Sequence, residues 1–343
     1  MIGKKELLAQ ALYRAGVLSL LSRMPAMGSS ELRILAYHRV FDVADESAFP
    51  YDLELISASI ANFRKQMEYV AKFFVPVTCH DVLTALDGGR PLPRRAVVIT
   101  FDDGHSDNYT NAFPVLQSLG VPATVFLSTA YIGSAGTFWF DQITYVLFRA
   151  SAGLLTIPGI KTSLNLSDAS SRRQAADIVR EHLKSLPDEK RRTLIDHIIG
   201  MLGGVNVNSI DVGLSGAMTW DQVREMSRAG IEFGSHAVSH PILAQLDDAA
   251  LERELVESRL AIEKIVGRPV NIIAYPDGGT SAFDERVIAA VKRAGYQLGL
   301  AYIPGSNNLN RFNRFAGQRL HIERYTTHAR FRAMLELPRL FAT

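Results

Sequence analysis

Two adjacent aspartates, Asp102 and Asp103, end an apolar run in the segment AVVITFDDG (96–104). Like charges placed side by side repel one another, and each carboxylate is costly to remove from water without a partner. A cation bound by one of them would remove that difficulty. The doublet therefore indicates either a metal site or a solvated turn, and the choice depends on whether other ligands exist.

Two histidines in the segment GSHAVSHP provide such ligands, because His236 and His240 are spaced so that both imidazoles can reach one ion. Pro241 disfavours helical backbone at His240, which favours a turn over a helix. Two neutral imidazoles and one carboxylate form the three-ligand, open site of a catalytic divalent metal. One aspartate would then ligate the metal, and the other could accept a proton from a water molecule activated there.

The elements that must position these residues are strand-like apolar runs separated by segments of helical period. Polar residues follow four of these runs: His38 follows ILAY (34–37), Asp102 follows AVVITF (96–101), His236 follows IEFGS (231–235), and YPDGG (275–279) follows NIIA (271–274). Strands alternating with helices predict a parallel sheet with right-handed crossovers, and the repeating unit over about 300 residues favours a barrel. The carboxyl ends of parallel strands lie at one face, where we expect these side chains to meet.

The first 30 residues have a basic start and an amphipathic pattern that predicts a helix. The residues expected to share its apolar face are Leu7, Leu8, Ala11, Leu18 and Leu21. Such a helix would pack on the domain or, alternatively, contact a membrane surface. No apolar stretch has the length of a membrane span or of a signal-peptide core. We therefore expect a protein that is cytoplasmic or peripheral at the inner face of a membrane.

The rest of the chain, residues 31–343, is predicted to form one barrel domain. The alternation of strand and helix patterns is interrupted at about residues 134–218. That segment is polar, rich in helical pattern and poor in strand pattern. It predicts a mainly helical insertion that walls or covers the mouth of the active site.

Composition excludes some classes of partner and site. The net charge is only +2, from 37 basic and 35 acidic residues, so we expect no nucleic-acid partner. The only cysteine, Cys79, excludes an internal disulfide and any multi-cysteine metal site.

The motifs resemble those of the polysaccharide deacetylases, carbohydrate esterase family 4, also called the nodulation-type deacetylase domain. The family's T-F-D-D-G motif is present as Thr100–Gly104, and its H-S/T-x-x-H motif is matched by His236 and His240, with Ala237 in place of Ser or Thr. The segment ILAYHRV is similar to the branch associated with exopolysaccharide synthesis. The resemblance covers about residues 32–133 and 218–325.

This resemblance implies a distorted (β/α)7 barrel and a metal-dependent hydrolysis that removes N-acetyl groups from an amino-sugar glycan or a lipid-linked sugar. By position, Asp102 would be the general base, and Asp103, His236 and His240 would bind a divalent metal, most commonly zinc. His321, in the late segment RLH, corresponds to the histidine that protonates the leaving amine.

The family's third motif, R-x-P-Y-G, corresponds to AYPDG (274–278). The resemblance implies that the backbone N–H of Asp277 stabilises the oxyanion and that four residues border the substrate there: Tyr275, Pro276, Asp277 and Gly278. Ala274 replaces the arginine that orients the general base, and Asp277 replaces an aromatic residue. What orients Asp102 is therefore left open.

Two further histidines and a tryptophan have expected places around this site. His38 and His105 are expected beside the reacting groups, orienting them, and His38 is a second candidate for the proton donor. The aromatic face of Trp139 suits a pyranose ring, although ordinary packing explains a tryptophan equally well.

Three functions remain compatible with the sequence. The first is the N-deacetylase. The second is a deformylase or amidase that uses the same metal site on a small or lipid-linked substrate. The third is a catalytically degenerate barrel that binds carbohydrate, and the intact Asp–Asp–His–His set argues against it.

Overall fold

The computed structural model describes residues 3–24, 31–202 and 215–342. Seven parallel strands close into a barrel and follow one another around the ring in chain order. They are β1 (Glu31–Tyr37), β2 (Ala96–Phe101), β3 (Thr124–Leu127), β4 (Glu232–Ser235), β5 (Ile272–Ala274), β6 (Leu298–Pro304) and β7 (Gly317–His321). Because β1 pairs with both β2 and β7, the ring is closed, and the predicted (β/α)7 barrel is confirmed.

Helices connect the strands and occupy both ends of the described chain. They are α1 (Lys4–Arg14), α2 (Val17–Arg23), α3 (Ile60–Phe73), α4 (Cys79–Leu86), α5 (Phe113–Leu119), α6 (Trp139–Arg149), α7 (Ala169–Lys184), α8 (Asp188–Met201), α9 (Trp220–Arg228), α10 (Asp248–Val266), α11 (Glu285–Arg293), α12 (His328–Glu336) and α13 (Pro338–Phe341). Shorter pieces are a π-helical turn at Asn108–Ala112, 3-10 turns at Leu243–Gln245 and Leu309–Arg311, and strands at Arg39–Val40, Ile56–Ala58, Val75–Val77, Leu154–Leu155, Leu164–Asn165 and Asn307–Asn308.

The barrel wall explains the apolar runs of the sequence. Every residue of β2 is buried, because a parallel strand in a barrel is covered by side chains inside and by helices outside. Gly234 in β4 allows close packing of the wall, since a Cβ there would lie 2.6 Å from the ring of Phe126 in β3. Because the strands are parallel, their carboxyl ends lie at one rim of the barrel. Asp102 and His236, which follow β2 and β4, therefore lie at the same rim.

The N-terminal segment forms two short helices instead of one amphipathic helix, because Gly16 adopts a φ of 75° and separates α1 from α2. Both helices pack against α12, where Thr327 Oγ1 donates to Glu6 Oε1 at 2.8 Å. The expected shared face is wrong: Leu18 is fully buried, whereas Leu7 is 55% exposed. Residues 1–2 and 25–30 of that segment lie outside the described residues. Within the described ranges, no helix is both long and apolar enough to cross a membrane.

The segment predicted as an insertion, residues 134–218, contains α6, α7 and α8 and a short antiparallel pair of strands. Its apolar side chains form a cluster separate from the main core, and Ile143 of α6 and Val179 of α7 are fully buried in it. Residues 203–214 of the segment lie outside the described residues. The same cluster includes Phe49, Tyr51 and Ile56, so the insertion packs on the segment that follows β1.

Candidate active site

Three side chains from two strand ends converge at the carboxyl rim of the barrel. Asp103 Oδ1 lies 3.3 Å from His240 Nε2 and 3.5 Å from His236 Nε2. All three residues are buried, and Asp103 Oδ1 makes no hydrogen bond within the described part of the chain. Ligand atoms placed tetrahedrally at about 2.1 Å from a zinc ion lie about 3.4 Å apart, so these separations fit a metal held by the three atoms.

The backbone holds both histidines in this arrangement. His236 Nδ1 donates to the carbonyl oxygen of Ala274 at 2.8 Å, which leaves the lone pair on Nε2, facing Asp103. His240 lies in a turn with a φ of 54°, as Pro241 predicts, and not in a helix.

Glu254 of α10 fixes the loop between the two histidines. Its carboxylate accepts hydrogen bonds from the backbone N–H groups of Val238 at 2.7 Å and Ser239 at 2.9 Å, and from the Ser239 hydroxyl at 2.6 Å. These bonds attach the loop to a long helix on the outside of the barrel.

Asp102 is paired with Arg319, a residue of β7 that the sequence analysis did not identify. The guanidinium donates to both carboxylate oxygens, from Nη1 to Oδ1 at 2.8 Å and from Nη2 to Oδ2 at 2.7 Å, and both residues are buried. Burial alone would raise the pKa of Asp102, but Arg319 and His236 outweigh it and bring the pKa below its usual value. Arg319 of β7 is thus the guanidinium that contacts Asp102 in a chain with alanine at position 274.

Asp103 is also kept ionised by its neighbours. Burial raises the pKa of Asp103, whereas His105 and His240 lower it, and the net result lies well below the usual value. His105 Nε2 lies 3.3 Å from Asp103 Oδ2, and the imidazole is fully buried against the ring of Phe138. His105 therefore lies beside the ligand cluster, where the sequence analysis expected it.

A cavity of about 240 Å³ opens beside the two aspartates. The insertion supplies one of its walls through Trp139, Phe140, Arg180 and Lys184, from α6 and α7. Most of the predicted site residues line the rest: His38, Asp102, Asp103, His236, His240, Tyr275 and Asp277.

The loop Tyr275–Gly278 follows β5 and forms part of the cavity wall. Gly278 has a φ of 60°, and a Cβ there would lie 2.5 Å from the backbone nitrogen of Tyr302, so this position needs glycine. Pro276 is buried beside it. The Asp277 carboxylate forms an ion pair with Lys184 Nζ at 2.7 Å, which the sequence analysis did not anticipate.

The two candidate proton donors have different places. His38 lines the cavity, and its Nε2 lies 4.0 Å from Asp102 Oδ2. His321 stacks on the ring of Tyr302, with centroids 3.5 Å apart, and it lines a different cavity beside α1. Burial, with Arg319 and His38, lowers the pKa of His321 to about 3.

One sequence signal could have found Arg319. It lies two residues before His321 on a strand, and residues at that spacing point to the same face. Lys184 carried no comparable signal, because it is one of several charged residues in α7.

The chain is therefore an α/β-barrel protein. At the carboxyl rim it has a buried Asp–His–His cluster whose ligand types and spacing fit a divalent metal. Residues 89–299 match the model of the polysaccharide deacetylase family, and the chain belongs to that family. Its curated relatives include proteins named as N-deacetylases.

Several curated relatives share the name poly-beta-1,6-N-acetyl-D-glucosamine N-deacetylase. One from Escherichia coli K12 is 36% identical over 90 residues, which cover 26% of this chain and 12% of that protein. One from Staphylococcus aureus (strain MSSA476) is 31% identical over 120 residues, which cover 32% and 40% respectively. The chain thus spans less than half the length of these relatives.

Among solved structures, the chain is similar to the Streptococcus pyogenes deacetylase PplD in complex with acetate. The TM-score is 0.57 at 18% sequence identity, over 87% of this chain and 95% of that chain. At this identity the likeness supports the barrel fold.

Replacing Arg319 by methionine should destabilise the protein, because Asp102 would be left as an unpaired buried carboxylate. Removing one partner of a buried ion pair typically costs about 3–5 kcal/mol. We expect the free energy of unfolding, measured by urea denaturation at neutral pH, to fall by about that amount. The deficit should shrink as the pH falls, because protonation of Asp102 removes the buried charge.

The matched control is the double variant Arg319→Met with Asp102→Asn, in which no buried charge is left unpaired. It should lose less than half as much stability as the single variant. Equal losses in the two proteins would mean that the packing of the arginine, and not charge pairing, stabilises this part of the barrel.

Proposed function

We propose that the protein hydrolyses the N-acetyl group of an amino sugar, releasing acetate and a free amine, with a divalent metal, most commonly zinc in such sites. The observation that carries this proposal is the Asp103–His236–His240 cluster beside a second, ion-paired aspartate in one cavity. A carboxylate that is held ionised next to a metal site, without being needed as a ligand, is what a general base requires.

A metal held by Asp103, His236 and His240 would supply Lewis-acid activation of water and of the amide carbonyl. Asp102 accepts a proton from the attacking water, whose oxygen forms a bond to the acetyl carbonyl carbon. The Asp277 N–H, which makes no hydrogen bond within the described residues, donates to the oxygen on which negative charge develops. The C–N bond then breaks, and the leaving nitrogen takes a proton.

For that last proton we favour His38 over the expected His321. His38 borders the cavity within 4.0 Å of Asp102, so a proton accepted by the base has a short path to it. His321 is separated from the cavity by the stacked ring of Tyr302. Burial lowers the pKa of His38, and although Asp103 and Asp102 oppose this, the net pKa lies below its ordinary value. Negative charge that develops on the substrate would raise that pKa and so favour the protonated imidazole.

The substrate we propose is an N-acetylated glycan or a lipid-linked sugar. The relatives named for poly-beta-1,6-N-acetyl-D-glucosamine support a glycan of this chemistry. Trp139 and Tyr302 present aromatic side chains to the cavity, and such faces suit a pyranose ring.

Peripheral contact with an anionic membrane is a second part of the proposal. The solvent-facing side of α1 and α2 carries Leu7, Leu8 and Leu20, which are 41–64% exposed, together with Lys4, Arg14 and Arg23. The acidic residue of α1, Glu6, faces α12 instead. Exposed leucines flanked by basic residues suit an anionic lipid surface. The expected location at the inner face of a membrane stays a prediction.

Replacing Asp102 by asparagine should lower acetate release from an N-acetylated oligosaccharide by at least about 100-fold, because no base remains for the attacking water. The bound zinc, measured by elemental analysis, should stay near one equivalent. Asp103→Asn is the matched variant and should lose the metal as well. Loss of zinc from the Asp102 variant alone would reverse the two roles, and thermal unfolding of both proteins shows whether they remain folded.

The two histidines can be told apart by kinetics. His38→Ala should lower kcat by about 100-fold and remove the alkaline limb of its pH profile, since a donor is lost as the pH rises through its pKa. His321→Ala should lower kcat by less than about tenfold and keep that limb. The reverse pattern would assign the donor to His321.

Vesicle sedimentation tests the membrane surface. The protein should bind phosphatidylcholine vesicles that contain about 30% phosphatidylglycerol and not bind pure phosphatidylcholine. The variant Leu7→Glu with Leu20→Glu should lose at least about tenfold in affinity, because each fully buried leucine contributes up to about 1.5–3 kcal/mol and the added carboxylates are repelled by anionic lipid. Leu260→Glu, at an equally exposed leucine of α10, is the control. Equal binding by all three proteins would refute the contact.

A further inference from the structure

The loop that borders the proposed oxyanion site carries a carboxylate, Asp277, where a negative charge would oppose the reaction. The structure contains a counter-charge for it, since Lys184 Nζ lies 2.7 Å from Asp277 Oδ1. Lys184 is the last residue of α7, so the counter-charge comes from the insertion and not from the barrel. Both side chains are about 30% exposed and line the cavity.

We infer that Lys184 is a positioning residue for the reaction: it holds the Asp277 carboxylate away from the developing oxyanion and neutralises its charge, so that only the Asp277 N–H faces the substrate. This inference rests on the proposed function. It assigns to the insertion a role in the chemistry as well as in walling the cavity.

Three observations support the assignment. Asp277 has a φ of 62° and Gly278 a φ of 60°, so the backbone turns sharply where the N–H must be presented. Tyr302 N donates to the carbonyl of Gly278 at 2.8 Å, which fixes the loop but leaves the Asp277 side chain to be held by other contacts. Within the described residues, the only ion pair of the Asp277 carboxylate is with Lys184.

The lysine is suited to this task. Glu181 of α7 also accepts a hydrogen bond from Lys184 Nζ at 2.9 Å, so the ammonium lies between two carboxylates. Burial lowers the pKa of Lys184, but Asp277 and Glu181 outweigh it, and the net pKa is raised. The ammonium therefore stays charged throughout the neutral range.

Removing the lysine would leave the Asp277 carboxylate free to rotate towards the substrate oxygen. Two like charges about 5 Å apart at a partly screened site repel strongly enough to slow the reaction by tenfold or more. An asparagine at position 277 has the same shape without the charge. A charge effect and a purely structural effect of the ion pair can therefore be separated by a second substitution.

The experiment compares the wild type, Lys184→Met, and the double variant Lys184→Met with Asp277→Asn, all loaded with zinc. Lys184→Met should lower kcat by about tenfold, with KM changed by less than about threefold. The double variant should recover most of that loss although the ion pair is still broken. Arg286→Met, which breaks the exposed ion pair with Asp248, is the control and should keep wild-type kinetics.

A double variant as slow as Lys184→Met would overturn the inference, since the pair would then act only by holding α7 in place. An unchanged rate in Lys184→Met would overturn it as well. Acetate affinity, measured by NMR titration of the same proteins, gives a readout independent of turnover: it should fall in Lys184→Met and recover in the double variant. If the wild type releases no acetate from N-acetylated sugars, the proposed function fails, and the acetate titration alone decides the role of Lys184.

Discussion

Two adjacent carboxylates that are both buried and both ionised set the main constraint on this site. Each carboxylate needs a positive charge or hydrogen-bond donors of its own, and different parts of the barrel supply them. Asp102 receives a bidentate guanidinium from the last strand of the ring, and Asp103 faces the imidazoles that follow β4. The closed ring makes this possible, because β2 lies between β1, which pairs with β7 on its other side, and β3, which pairs with β4.

The insertion contributes side chains to the wall of the cavity beside these carboxylates. Its helices pack in an apolar cluster shared with the segment after β1, so Trp139 and Lys184 are presented from packed helices. A side chain on a helix with a packed face is held more precisely than one on a loop. The barrel thus supplies Asp102 and the Asp–His–His cluster, while the insertion lines one side of the cavity beside them.

The sequence predicted those parts of the site that depend on local pattern. The ends of parallel strands must meet at one rim, so the order of the strands alone placed Asp102, Asp103, His236 and His240 together. Arg319 could not be assigned in that way, because its contact with Asp102 spans 217 residues and depends on how the ring closes. The predicted apolar face of the N-terminal segment was wrong for a different reason. Gly16, with left-handed backbone, divides the segment into two helices, so their residues do not share one helical face.

The position of Arg319 in the last strand affects the order in which the chain can complete this site during synthesis. The Asp–His–His cluster depends on residues up to Ala274, whose carbonyl orients His236, whereas the guanidinium that pairs with Asp102 is absent until β7 has been made and has closed the ring against β1. Closure over so long a loop is entropically costly and comes late in folding. The buried charge of Asp102 therefore gains its guanidinium partner only when the ring closes, so that closing the barrel and pairing this carboxylate are one event.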